Sequence, residues 1–418
     1  MRRFLVMGWL AIGSTSAALA QSKPAPAPSA GVLPAAATVQ IQGANGMPTA
    51  ETPYTLYVSS ESGNIVSHVE VSSAGWRLVR QVGVGTSMDV GGPHNVAISP
   101  NGKYWYVSLA HGTPFGSVAK YTTGRDSLVG KAQVGMFPTT VGLSPDGDWA
   151  FIPNSDFHGD RGHMNTVSVL YTPDMSAVAE VPVCDMPHGS RVSRRGATVY
   201  LACMMSDELV TMDASTFGVT GRVQVGSGHP MTMAAMDMAD SAGGASSMGG
   251  MQMGGAPKAP GAASSTMAGQ NPDCLTTYVS VAPSDTLVYM ACNHSDEMQV
   301  RNARTLEIVK RVVTGKGAYN VEPSPDGRFV VVSNKKAQSV SIIDARTLTE
   351  VARVPTSKKV PHGIAFSPDH KYVFVTCESI GTDPGAVDAI DLMTFQRVGS
   401  LPIPLQPTGV AVWRGTGS

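Results

Sequence analysis

Three features of the sequence predict an all-β fold closed into a ring of repeats. A phrase returns about every 45 residues, a period in the range of propeller and solenoid arrays. Its clearest copy runs from Pro361-His362-Gly363 through Ser367-Pro368-Asp369 to Val375-Thr376-Cys377. Each copy reads as a Pro-led loop, a β-rich run, a Pro-Asp-Gly-type turn and a second β-rich run. The chain also ends on a spare first strand, Pro407 to Trp413, while the first unit lacks one. An open array would leave sheet edges that invite aggregation. A ring whose two ends share one blade does not, so seven four-stranded units predict a seven-bladed β-propeller.

The elements follow in order. Residues 1–20 read as a secretory signal: Arg2 and Arg3, an apolar stretch from Phe4 to Ile12, and Ala18-Leu19-Ala20 before Gln21. Arg2-Arg3 loosely resembles a twin-arginine signal, and the pattern favours ordinary Sec export. Residues 21–49 are rich in Pro, Ala and Ser and read as an unfolded linker. The propeller occupies 50–418. Unit one, at 52–87, carries runs at Tyr54 to Ser59, Asn64 to Val71 and Trp76 to Val82. Later units start at Pro93-His94, Pro138-Thr139, Pro187-His188, Leu275, Ala318-Tyr319 and Pro361-His362. Unit five is interrupted by a Met-rich insertion at 231–272. No later run is long and apolar enough to span a bilayer, so the mature product is expected without a transmembrane segment, periplasmic or secreted. A net charge of −1 removes the electrostatic argument for nucleic acid.

The run endings Tyr57-Val58-Ser59-Ser60, Phe151-Ile152-Pro153-Asn154, Val331-Val332-Ser333-Asn334 and Phe374-Val375-Thr376-Cys377 resemble the YVTN family of propeller repeats. The resemblance covers 52–413 and implies the fold. It leaves activity open, because similar propellers include lactonases, lyases, haem- and copper-bearing reductase domains and interaction platforms.

With strands A to D counted outward from the channel, D-to-A and B-to-C connections leave on one face, because successive strands are antiparallel. The D-to-A connections carry His94, His188, His229 and His362, and the B-to-C loops carry His111, His158, His163 and His294. Eight of the 10 histidines thus share one face, His68 and His370 excepted. Imidazole is a metal ligand and titrates near neutrality, so this face is the expected site, at the channel mouth. A bland alternative is that Pro-His-Gly merely starts strand A.

Met231, Met233, Met236, Met238, Met248, Met251, Met253 and Met267 lie in the insertion among Gly, Ala and Ser. Such a composition builds no core, and its route through a D-to-A connection hangs it over the histidine face. Thioether sulfur suits Cu(I); the alternative is an adhesive or sacrificially oxidised loop. Copper is therefore the leading cofactor candidate, with His94, His188, His229, His362 and the loop methionines as ligands. No Cys-x-x-Cys-His haem attachment occurs.

Five cysteines stand in an exported chain. Cys184 and Cys274 precede the A strands of units four and five, and Cys203 and Cys292 end their B strands, so Cys184–Cys203 and Cys274–Cys292 are the expected disulfides. Cys377 has no counterpart and reads as an inert buried thiol or a soft ligand beside His362 and Glu378. In an alternative arrangement Cys203, Cys292 and Cys377 point into one site. Asp207-Glu208 and Asp296-Glu297 recur in B-to-C loops, where carboxylates more often hold a turn than perform acid–base work.

The leading functional reading is a binding protein for a small ligand or metal ion at the top face, with no catalytic residue assigned. Two rivals stand beside it. One is an enzyme, lactonase- or lyase-like with a histidine base, or a copper oxidoreductase. The other is a platform for a periplasmic protein.

Overall fold

The computed structural model describes residues 32–33 (backbone only), 47–85, 91–111, 115–156, 165–226 and 272–415. Among them every regular element is a β-strand. Seven antiparallel sheets follow the repeat, and in six of them strands A to D run in chain order. Blade two, for example, comprises Pro93–Ile98, Tyr104–Leu109, Ser117–Thr122 and Leu128–Gln133. The innermost strands are buried on both faces. The outermost alternate exposed and covered residues, as in Val219–Gln224 of blade four, because only one of their faces meets a neighbouring blade.

Blade one is closed as expected. Pro407–Trp413 supplies its A strand, paired antiparallel with Tyr54–Ser60 in the register Leu56↔Val412. Val32–Leu33 adds a fifth strand beyond Gly75–Gly83. The sequence had marked this stretch as unfolded linker, because a two-residue pairing leaves no periodic signal.

The core lies between blades. Tyr57, Val66 and Val82 of blade one meet Trp105, Val107 and Tyr121 of blade two, with Trp105 and Tyr121 stacked at 4.2 Å. Seven similar seams make a ring in which each blade is held by two others. No helix among the described residues is long and apolar enough to cross a membrane.

Both expected disulfides are formed, Cys184–Cys203 and Cys274–Cys292. Cys377 is free and buried. Its Sγ lies 3.9 Å from Asp388 Oδ2, and burial with that carboxylate pushes its pKa well up. The arrangement with three B-strand cysteines in one site does not occur, since Cys203 and Cys292 are bonded elsewhere.

Candidate functional site

The A strands bulge at their second residue. Their register slips between Pro93 and Asn95, Pro187 and Gly189, Thr276 and Tyr278, Ala318 and Val321, and Pro361 and Ile364. The slip leaves a backbone N–H and C=O without ladder partners, and buried groups of this kind must find others. The hydroxyl near the end of strand B supplies them. Thr376 Oγ1 accepts from Gly363 N at 2.7 Å and donates to Thr408 O of the next blade at 2.6 Å. Ser59 accepts from Gly409 N and donates to His94 O, and Ser333 accepts from Asn320 N and donates to His362 O. The serine or threonine of the repeat thus locks neighbouring blades together.

The bulge carries the second residues of six A strands, His94, His188, Thr277, Tyr319, His362 and Thr408, around the channel, and in blade three Thr139, just after the isolated bridge at Pro138, takes the matching place. Three imidazoles meet there. His94 lies 5.9 Å from His188 and 5.4 Å from His362 between ring centroids. Tyr319 contacts His362 at 4.6 Å, and Tyr278 contacts His188 at 5.0 Å. These histidines were expected in loops at an open mouth. They stand instead in the strand starts and are buried, at 5 %, 0 % and 2 % exposure, because the bulge turns each second residue inward under the loops.

The hydrogen bonds settle two tautomers. His188 Nδ1 lies 2.9 Å from Thr277 O; a carbonyl only accepts, so Nδ1 carries the proton. Nε2 then accepts from the Tyr319 hydroxyl at 3.2 Å. His94 Nδ1 lies 2.7 Å from Glu61 Oε2 and donates to that carboxylate. His94 Nε2 is left with a lone pair, buried and without a hydrogen-bond partner. Glu61 also accepts from His111 Nε2, at 2.6 Å on its other oxygen. Burial pushes the Glu61 carboxyl up, but the two imidazoles outweigh it and hold the group well below the usual carboxylate range.

A second acid lies across the mouth. Glu378 Oε1 is 3.0 Å from Lys335 Nζ and 3.8 Å from His362 Nε2, and the ammonium sits 3.6 Å over the Tyr319 ring. Burial, then Lys335 and the other two imidazoles, pushes His362 well below its ordinary value. Burial and His94 do the same to His188.

The other expected site residues fare differently. His294 is half-buried away from the cluster, its Nδ1 3.0 Å from Pro272 O. His158, His163, His229 and the methionines Met231, Met233, Met236, Met238, Met248, Met251 and Met253 lie outside the described residues. Among the described residues no three His, Cys, Asp or Glu side chains are disposed to hold a metal ion. Asp207 and Asp296 each tie down the connection that leads into the next blade: Asp207 accepts from Cys274 N at 2.9 Å, and Asp296 from Gly317 N at 2.7 Å.

Sequence reasoning missed Glu61, Tyr278, Tyr319 and Lys335. A signal existed for the first. Glu61 and Glu378 both follow the last residue of strand B, in Ser60-Glu61-Ser62 and Cys377-Glu378-Ser379.

Residues 272–382 match the family described as "Lactonase, 7-bladed beta-propeller". The match spans blades five and six and the first half of blade seven. No curated protein matches the chain. Among solved structures, the periplasmic gluconolactonase of Pseudomonas aeruginosa is similar at a TM-score of 0.63 and 16 % identity, over 88 % of this chain and 100 % of that one. A dihydro-haem d1 dehydrogenase is similar at 0.53 and 16 %, over 90 % and 79 %. Kuenenia stuttgartiensis hydrazine synthase is similar at 0.56 and 17 %, over 76 % and 89 %. At such identities the likeness shows the fold, a seven-bladed β-propeller.

Proposed function

We propose that the chain is a propeller hydrolase that opens a lactone, with His94 as general base. One observation carries the reading: Glu61 holds the Nδ1 proton of His94, and the opposite nitrogen is buried with an unused lone pair. A carboxylate that fixes the tautomer and stabilises the imidazolium is the arrangement that makes histidine a base. Water attacks the acyl carbon and its proton passes to Nε2. The ring acyl–oxygen bond breaks, and the proton returns to the leaving alkoxide. The Tyr278 hydroxyl, whose pKa burial pushes well up, stays protonated beside the cluster and serves as a donor to the developing oxyanion. The partial lactonase match supports this reading, as does the gluconolactonase likeness.

The test is proton release at constant pH from a panel of five- and six-membered lactones. The wild-type chain is expected to open at least one, and His94→Gln to lower kcat by about a hundredfold or more. A wild-type rate no higher than buffer across the panel would sink the proposal. So would an unimpaired His94→Gln variant.

A second reading is copper binding. His94 lies 5.9 Å from His188 and 5.4 Å from His362 between ring centroids, but as the rings stand no three described ligands are disposed to hold an ion, so the rings would have to turn to share one about 2 Å from each nitrogen. His188 would have to release Tyr319. Here elemental analysis of the purified protein should find near-stoichiometric copper, reduced in the His188→Ala variant. The disulfides support export to an oxidising compartment, and the serine and threonine bridges support the YVTN-type repeat.

A further inference from the structure

All seven A strands enclose an axial cavity of about 60 Å³ beneath the histidine layer. Asn95 follows His94 and Gly363 follows His362, and Tyr278 touches His188, so the underside of the cluster forms the roof. Arg191, near the far end of its strand, lines the other end; its side chain is 30 % exposed.

The walls decide the occupant. The Asn95 carboxamide oxygen accepts from Val141 N at 3.1 Å, which leaves its amino group for the cavity. Asn320 is 6 % exposed, and its Oδ1 is buried without a hydrogen-bond partner. Arg191 pairs with Glu322 at 2.7 Å, and Ser280 donates to the same carboxylate at 3.3 Å. Polar walls disfavour an apolar ligand, since dry cavities are apolar. The ion pair cancels the charge, so an ion would gain little to offset its desolvation. Groups that both donate and accept suit water, and the volume holds about four molecules at roughly 15 Å³ each.

We propose that this cavity is a built water site that supplies the hydrolytic water to His94 from the face opposite the mouth, with Asn95 and Asn320 as positioning residues. The supply role rests on the lactone-hydrolase reading. Each turnover consumes one water, whose oxygen becomes part of the new carboxylate, and no oxidant or reductant is needed.

The test compares long-lived internal waters, counted by oxygen-17 relaxation dispersion, in the native protein, Asn320→Leu and Asn320→Asp. The leucine variant is expected to lose at least half of the axial contribution, and the aspartate variant to keep it. In the lactone assay Asn320→Leu should lower kcat about tenfold with KM unchanged. Equal water counts in native and leucine proteins overturn the site, whatever the activity. Lost water with unchanged kcat overturns the supply role. Water present in a native protein that opens no lactone refutes the hydrolase reading and leaves the water site standing.

Discussion

The two nitrogens of His94 live in different surroundings, one against a carboxylate and one against the channel, and that asymmetry is the chemistry of the site. His68 shows the opposite outcome for the same side chain. It lies between Tyr57, at 4.0 Å, and Trp105, with Asp126 3.7 Å away and Arg80 on the same carboxylate. Burial dominates and pushes it down to about 4. A histidine with a lowered folded value is neutral in the fold, so its stabilisation is complete above the unfolded value near 6.5 and is lost as pH falls through about 4. The span is worth about 3 kcal/mol at most. Urea midpoints measured from pH 7 to 4 should fall less steeply in His68→Phe than in wild type, and equal slopes would refute this. Residue chemistry was only partly legible in the sequence. The matched Pro-His steps pointed to His94, His188 and His362 as neighbours at the channel, but not to their burial in the strand starts. The partners were not legible: Glu61 reaches His94 from another blade, across 33 positions, and Tyr319 reaches His188 across 131. No local pattern encodes such distances.

At the scale of the strand, the end of strand B carries one of two side chains. Blades one, two, six and seven carry Ser59, Ser108, Ser333 and Thr376 one residue before the end of strand B. Blades four and five have Ala202 and Ala291 there, followed by Cys203 and Cys292, which are bonded to the preceding connection. A covalent clip to the blade's own entering connection stands where those four carry the hydroxyl, and Thr139 of blade three and Thr277 of blade five make the hydroxyl bonds to the next blade instead. Blade seven keeps the hydroxyl and also has Cys377, but Lys358 occupies the position that Cys184 takes before Pro187. Lys358→Cys should therefore close a third bridge of the same spacing, worth about 3 kcal/mol in the chain-entropy model. Its thermal midpoint should rise in the oxidised form and return to the wild-type value on reduction; a free-thiol count that stays at two would show that the bridge fails to form. The disulfides were readable because both cysteines of each pair recur at matched repeat positions. The bulge was not, because it adds no residue that breaks the β pattern.

At the scale of the whole ring, closure and site are one construction. Thr408 of the last strand donates to His94 O of blade two at 2.7 Å, and Glu61 N is held by Gln406 O at 2.9 Å. Both His94, the proposed base, and its carboxylate are thus anchored by the C-terminal strand. Removing residues 405–418 should abolish the proposed lactone opening and shift the His94 imidazole proton resonances, even if most blades persist by circular dichroism; unchanged resonances would separate the site from closure. The ring was the most legible level, since a spare strand at one end and a missing one at the other have few explanations.

The clipped blades four and five stand side by side, and His188 leads the first of them while Thr277, which holds its Nδ1 proton, leads the second. An electron donor that cuts those two sulfur bridges would loosen one arc of the wheel and leave the hydroxyl-stitched arc taut. The imidazole on the loosened side would wander while its two companions stayed put, so thiol exposure would set how well the trio is aligned without any reagent entering the hub.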